Sequence, residues 1–337
     1  MRAISAEALS AQPLTREWRP SYPLDLRRSL GHLARGKGDP TQRLADGALW
    51  RTAPTPDGPG TLRLRRTTGK PAGTSDHAGP SASPPRCDTI VADAWGPGGP
   101  WLLEHLPSLL CADDDVSDFG GVLDAAPHPV LAEAWRTCGN GLRFPATRLL
   151  FDQVSVAVLE QKVTGIEARR SWRELVWRFG SPAPGPAPQG MAVAPYPADW
   201  LAIPDWEWHK AGVDLSRRRA IRAAATVAAR LDQLVWGEVA EVVRILCTLP
   251  GIGPWTAAEA VQRAMSGADV VSVGDFHLPN VVGWALVGRK LDDAGMLEVL
   301  APYAPHRARA VRLVEVGPAV RPPRRGPRFS PRDYRTF

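Results

Sequence analysis

At 337 residues the chain is long enough for two or three domains and for cores that need no stapling. Its 41 lysines and arginines against 35 aspartates and glutamates leave a formal charge of +6, which admits a polyanionic partner without requiring one. Cys87, Cys111, Cys138 and Cys247 form no CxxC pair, which leaves a zinc ribbon and an iron–sulfur loop unsupported and makes a reducing cytoplasm the expected home.

The opening stretch MRAISAEALSAQPLTREW lacks the apolar core of a signal peptide, and no later run approaches the roughly 18 apolar residues of a bilayer span. The expectation is a protein with no membrane partner. LDLRRSLGHLAR then shows helical apolar spacing, and GALWRTA and GTLRLRR read as strands. Residues 67–86, rich in Pro, Gly and Ser, read as a long exposed loop. CDTIVADAWG and PWLLEHLPSLL follow, the second helical by its spacing, and this α+β pattern ends near the acidic turn ADDDVSDFGG.

Beyond that turn the pattern is helical. HPVLAEAWRTC, the long stretch TRLLFDQVSVAVLEQKVTGIEARRSWRELVWRFG, DLSRRRAIRAAATVAARLDQL, WGEVAEVVRILCTL, PWTAAEAVQRAMSG and HLPNVVGWALVG each carry apolar residues at three- and four-residue spacing. A second Pro/Gly-rich segment, 180–199, interrupts them and also reads as a long exposed loop. The fold class expected is mainly α: an α+β N-terminal domain over 1–117, an all-helical domain over 118–320, and a basic tail over 321–337. That tail carries six arginines against one aspartate, with prolines that block helix and sheet. It reads either as a solubilising end or as a phosphate-contacting arm.

In WGEVAEVVRILCTLPGIGPWTAAEAVQRAM a helix ends near Leu249, Pro250 blocks its continuation, and Gly251-Ile252-Gly253 turn the chain. Pro254 opens the next helix where its missing N–H costs little, and Thr256 lies in that helix's first turn. This is a helix-hairpin-helix. Its turn offers backbone N–H groups beside a helix N-terminus, an anion site suited to a DNA phosphate and indifferent to base sequence. Carbonyls facing the other way, of Cys247 and Leu249, suit a monovalent cation (K+ or Na+) that bridges to another phosphate. A glycine turn between packed helices is also a common structural device. Some twenty residues on, DVVSVGDFHLPNVVGW runs through Gly274 and Asp275 into another helix with Pro279 in its first turn, so Asp275 also suits an N-cap, worth about 1 kcal/mol.

These motifs together resemble the helix-hairpin-helix, Gly/Pro-rich, aspartate (HhH-GPD) DNA glycosylases, and within them the 3-methyladenine DNA glycosylase II branch of alkylation repair. The likeness rests on LPGIGPWTA, VGDFHL, an earlier AVLEQKVT resembling the family's damage-probing loop, and a late YAPHRARAV resembling its Pro-x-Arg-x-x-Ala helix, in the family's order over 128–316. The resemblance implies a DNA-binding hairpin, bent double-stranded DNA and a damaged nucleotide flipped into a cleft between helical lobes. Asp275 would stabilise the positive charge that builds on the deoxyribose and orient or deprotonate the attacking water. Members that also cut the strand carry a lysine where this chain has Trp255, so a hydrolase without lyase activity is implied. Trp255 would either stack on the extruded base or pack between the hairpin helices.

Gln161 and Lys162 match the wedge loop that fills the gap left by the flipped base, or they cap a helix; an apolar wedge often sits at the second position, so Lys162 is a departure. His277 completes a D-x-H pattern, as an acid or base or, more simply, as a buttress of the helix start. Glu259 and Glu315 stand where the branch can carry a pocket tyrosine and tryptophan. They either face solvent or give the pocket carboxylates that favour a cationic base such as 3-methyladenine. No redox cofactor or catalytic metal is implied, and the expected species is a monomer in the cytoplasm, nucleoid-associated in a bacterium. The alternative is a non-catalytic helix-hairpin-helix DNA-binding protein, against which the presence of Asp275 argues.

Overall fold

The computed structural model describes residues 12–67, 89–318 and 322. Cys87, nearly all of the first Pro/Gly/Ser-rich segment and all but Pro322 of the arginine-rich tail lie outside the described residues.

The N-terminal part is a five-stranded antiparallel sheet with strand order β1-β5-β4-β3-β2. Its strands are β1 (Leu14–Trp18), β2 (Gln42–Ala45), β3 (Ala48–Thr55), β4 (Gly58–Thr67) and β5 (Thr89–Trp95). GALWRTA and GTLRLRR form β3 and β4, paired with Leu49 opposite Leu64. The two-residue alternation sends Leu62, Leu64, Ile90, Ala92 and Ala94 into one core with Leu102, Leu106 and Leu109 of the following helices. Helix α1 (Leu26–Gly31) closes this core through Leu30; it is capped by Asp25, which accepts from the N–H groups of Arg27 and Arg28 at 3.0 and 3.1 Å. The chain leaves α1 at His32.

The rest is helical and gathers around two further cores. The helices around the first include α2 (Leu150–Leu159), α3 (Gly165–Phe179), α4 (Leu215–Thr226), α5 (Val239–Leu246) and α6 (Pro254–Ala264). Helix α2 is apolar almost all round, and it is correspondingly buried on nearly every face. The second core joins the helices Phe119–Ala125 and Pro129–Cys138 to α7 (Leu278–Val287), Asp293–Leu300 and α8 (Arg307–Val316). The molecule is therefore mainly α, with a small antiparallel sheet at its N-terminal side.

Two sequence expectations need correction. The unbroken helical spacing of residues 147–180 is two helices, because Lys162 takes a positive φ of 54° and Thr164 starts α3 afresh in a reciprocal capping box with Glu167. The segment 180–199 is not a free loop. Ser181–Pro182 pairs with Ala192–Val193, and Ala192 donates to the Pro40 carbonyl at 2.9 Å while its own carbonyl accepts from Thr52 Oγ1 at 2.6 Å. Met191, Ala192, Val193 and Ala194 are buried, so a few small apolar residues suffice to seat the segment on the edge of the N-terminal sheet.

Buried polar groups tie the sheet to the helices. Asp39 accepts from Trp172 Nε1 of α3 at 3.2 Å, and Arg35 donates to Gln153 Oε1 of α2 at 3.0 Å. Asp114 and Arg309 of α8 form a fully buried ion pair, and Asp114 also accepts the Phe144 N–H at 2.8 Å.

Candidate active site

The hairpin expected at 249–256 is formed by the end of α5, a turn, and the start of α6. Leu249 O accepts from Ile252 N–H at 3.1 Å, Ile252 is buried, and Gly251 has φ +78°. A Cβ on Gly251 would lie 2.7 Å from the Ala220 Cβ of α4, so both the dihedral and the close approach require glycine. Gly253 is the N-cap of α6 and carries no side chain to occupy the N–H groups of its first turn. Gln161 is fixed to this turn: its Nε2 donates to Gly251 O at 2.9 Å and to Thr256 Oγ1 at 2.7 Å. Lys162, one residue on, is exposed. Leu249 O keeps a second lone pair beyond the Ile252 bond, which is what the cation suggested for it and for the Cys247 carbonyl would use.

Asp275 follows Gly274, whose φ is +90°, and leads into α7. Its Oδ1 accepts from the N–H groups of His277 and Leu278 at 2.7 and 2.8 Å, and its Oδ2 accepts from Trp255 Nε1 at 3.0 Å. Three donors on two elements thus hold one carboxylate.

That carboxylate borders a cavity of about 230 Å³ between the two helical cores, whose walls include Glu259, Arg263, Asp275, His277, Arg312 and Glu315. Trp255 is not part of these walls; its indole is turned to Asp275. Glu259 and Glu315 do line the cavity, each beside an arginine. Arg263 donates to Glu259 Oε2 at 2.8 Å and Ser272 Oγ to Oε1 at 2.5 Å, while Arg312 donates to Glu315. Burial alone would push the Glu259 carboxyl up, but Arg263, Ser272 and Arg35 outweigh it and hold the group below the usual carboxylate range. The wall therefore carries ion pairs where free carboxylates were one expectation. Both pairings obey the i,i+4 and i,i+3 spacing of helix neighbours and were open to reading from the sequence. Gln262, Ser272 and His32 also line the cavity and were not anticipated.

No protein-family model and no curated protein matches the sequence. Solved structures do. The 3-methyladenine DNA glycosylase from Archaeoglobus fulgidus superposes with a TM-score of 0.68 at 15% identity, over 89% of this chain and 96% of that one. The 8-oxoguanine glycosylase/lyase of Clostridium acetobutylicum in its apo form gives 0.65 at 9% identity, over 90% and 98%. MBOgg1, solved with a low-affinity DNA ligand, gives 0.63 at 15% identity, over 90% and 97%. The chain has the HhH-GPD glycosylase fold. Within the HhH-GPD fold, hairpin, aspartate and cavity are contiguous here: Trp255, in the first turn of the hairpin's second helix, is the residue that bonds Asp275. Among the described residues no lysine lines the cavity, and no helix is long and apolar enough to cross a membrane.

Proposed function

We propose that this protein is a monofunctional DNA glycosylase that hydrolyses the N-glycosidic bond of alkylated purines, acting as a monomer on double-stranded DNA in the cytoplasm. The observation that carries the reading is the Asp275 carboxylate, fixed by three hydrogen bonds at the wall of a cavity beside the hairpin. The first-turn N–H groups of α6 take a DNA phosphate, and a monovalent cation on the Cys247 and Leu249 carbonyls serves a second one. Gln161 and Lys162 border the gap that the extruded nucleotide leaves, and the arginine-rich tail adds phosphate contacts.

In the cavity the C1′–N bond breaks with its electron pair going to the base, and the sugar becomes cationic. The carboxylate stabilises that charge and accepts a proton as water adds to C1′, leaving an abasic site in an intact strand. Asp275→Asn keeps an acceptor for the helix N–H groups and removes the charge. We expect it to lower single-turnover excision by at least about a hundredfold while binding to abasic-site DNA changes little. Near-normal turnover in Asp275→Asn would refute the mechanism. With Trp255 in place of an amine, borohydride added to protein and damaged DNA should trap no covalent complex; a trapped adduct would establish lyase chemistry.

A further inference from the structure

One wall of the cavity comes from the N-terminal part of the chain: His32, directly after α1. Its carbonyl accepts from Arg263 Nε at 3.2 Å, and its ring lies edge-on to Phe144 with centroids 6.1 Å apart, so the imidazole is held from two sides. Its Nε2 is buried and meets no hydrogen-bond partner among the described residues. Its polar neighbours on this wall are engaged elsewhere as well: Glu259 with Arg263 and Ser272, Gln262 with the Val270 carbonyl and Ser272, Arg312 with Glu315. A buried nitrogen left in this way is costly unless a ligand completes it.

Burial, reinforced by Arg263, Arg312 and Arg35 and only partly offset by a hydrogen bond with Gln262, keeps the ring well below the usual histidine pKa, so the imidazole is neutral. Arg263 and Arg312 are paired in turn with Glu259 and Glu315, so neither ion pair leaves a free charge beside the ring.

Building on the glycosylase reading above, we propose that His32 is a specificity-determining residue that reads an uncharged damaged purine through a hydrogen bond to its edge. A neutral imidazole presents one donor and one acceptor. Hypoxanthine is the matching probe, since its C6 carbonyl and N1–H offer both counterparts without charge.

The test measures single-turnover release of hypoxanthine, unsubstituted purine and 7-methylguanine from otherwise identical duplexes, each relative to its spontaneous loss. His32→Phe keeps a ring and removes both nitrogens; His32→Gln keeps a donor and an acceptor. We expect His32→Phe to slow hypoxanthine release by about tenfold or more and purine release by less than about threefold, with His32→Gln recovering most of the difference. Equal losses on hypoxanthine and purine, or no loss in His32→Phe, would each overturn the inference. Release of none of the three bases, nor of 3-methyladenine, would overturn the glycosylase reading itself.

Discussion

Asp232 is a mostly buried carboxylate that accepts the Phe151 N–H at the start of α2 at 3.0 Å. Burial, with Asp152 nearby adding to it, raises its pKa from 3.8 to about 6. A carboxyl whose folded-state pKa is raised stabilises the fold fully below the unfolded value, and that contribution is lost as pH rises through the folded one. Stability should therefore fall between about pH 4 and pH 6 by roughly 2–3 kcal/mol on account of this group. Asp232→Asn keeps an acceptor for the amide, and urea denaturation across that range should show a flatter profile than wild type. At the cavity, the positions of Glu259 and Glu315 were legible by counting from the hairpin and the late helix, and their partners Arg263 and Arg312 by helical spacing. His32 was not legible, because its neighbours in space are separated from it by most of the chain and no local pattern marks it.

At the scale of elements, the hairpin was readable because its chemistry is local: two glycines, two prolines and the helices they punctuate lie within a few residues of one another. What the sequence did not reveal is the packing reason for Gly251, a contact with α4. Gly251→Ala should cost about 1–3 kcal/mol in urea denaturation, from its positive φ and from the approach to Ala220, and should weaken DNA binding. Adding Ala220→Gly should return the steric part of the loss only. The break at 160–164 was hidden by continuous apolar spacing on both sides, although Thr164 and Glu167 form a capping box that spacing alone does not weigh. The segment 180–199 was misjudged for the opposite reason: composition forecasts solvent, while its backbone bonds to Pro40 and Thr52 seat it against the sheet.

Across the whole molecule, the α+β-then-helical order follows from the switch in periodicity, whereas the connections between the parts are buried polar groups that no periodicity foretells. Arg309 and Asp114, 0% and 2% exposed at their side chains, join α8 to the chain just before the second core begins. Arg309→Leu leaves Asp114 charged and unpaired in the interior and should destabilise the protein by about 3–5 kcal/mol in chemical denaturation. Combining it with Asp114→Asn should recover part of that loss.

The cavity draws its walls from distant stretches of the chain: His32 at the end of α1, Glu259 and Arg263 on α6, and residues from Asp275 to Glu315 around the last helices. No single portion of the chain holds the reactive carboxylate together with its whole enclosure. On the function proposed above, a partly folded molecule that already presents the hairpin would meet DNA without a pocket in which to release a base. Completion of folding would then be the safety catch on the proposed reaction, because the Asp275 carboxylate has its enclosure only once these distant stretches have met.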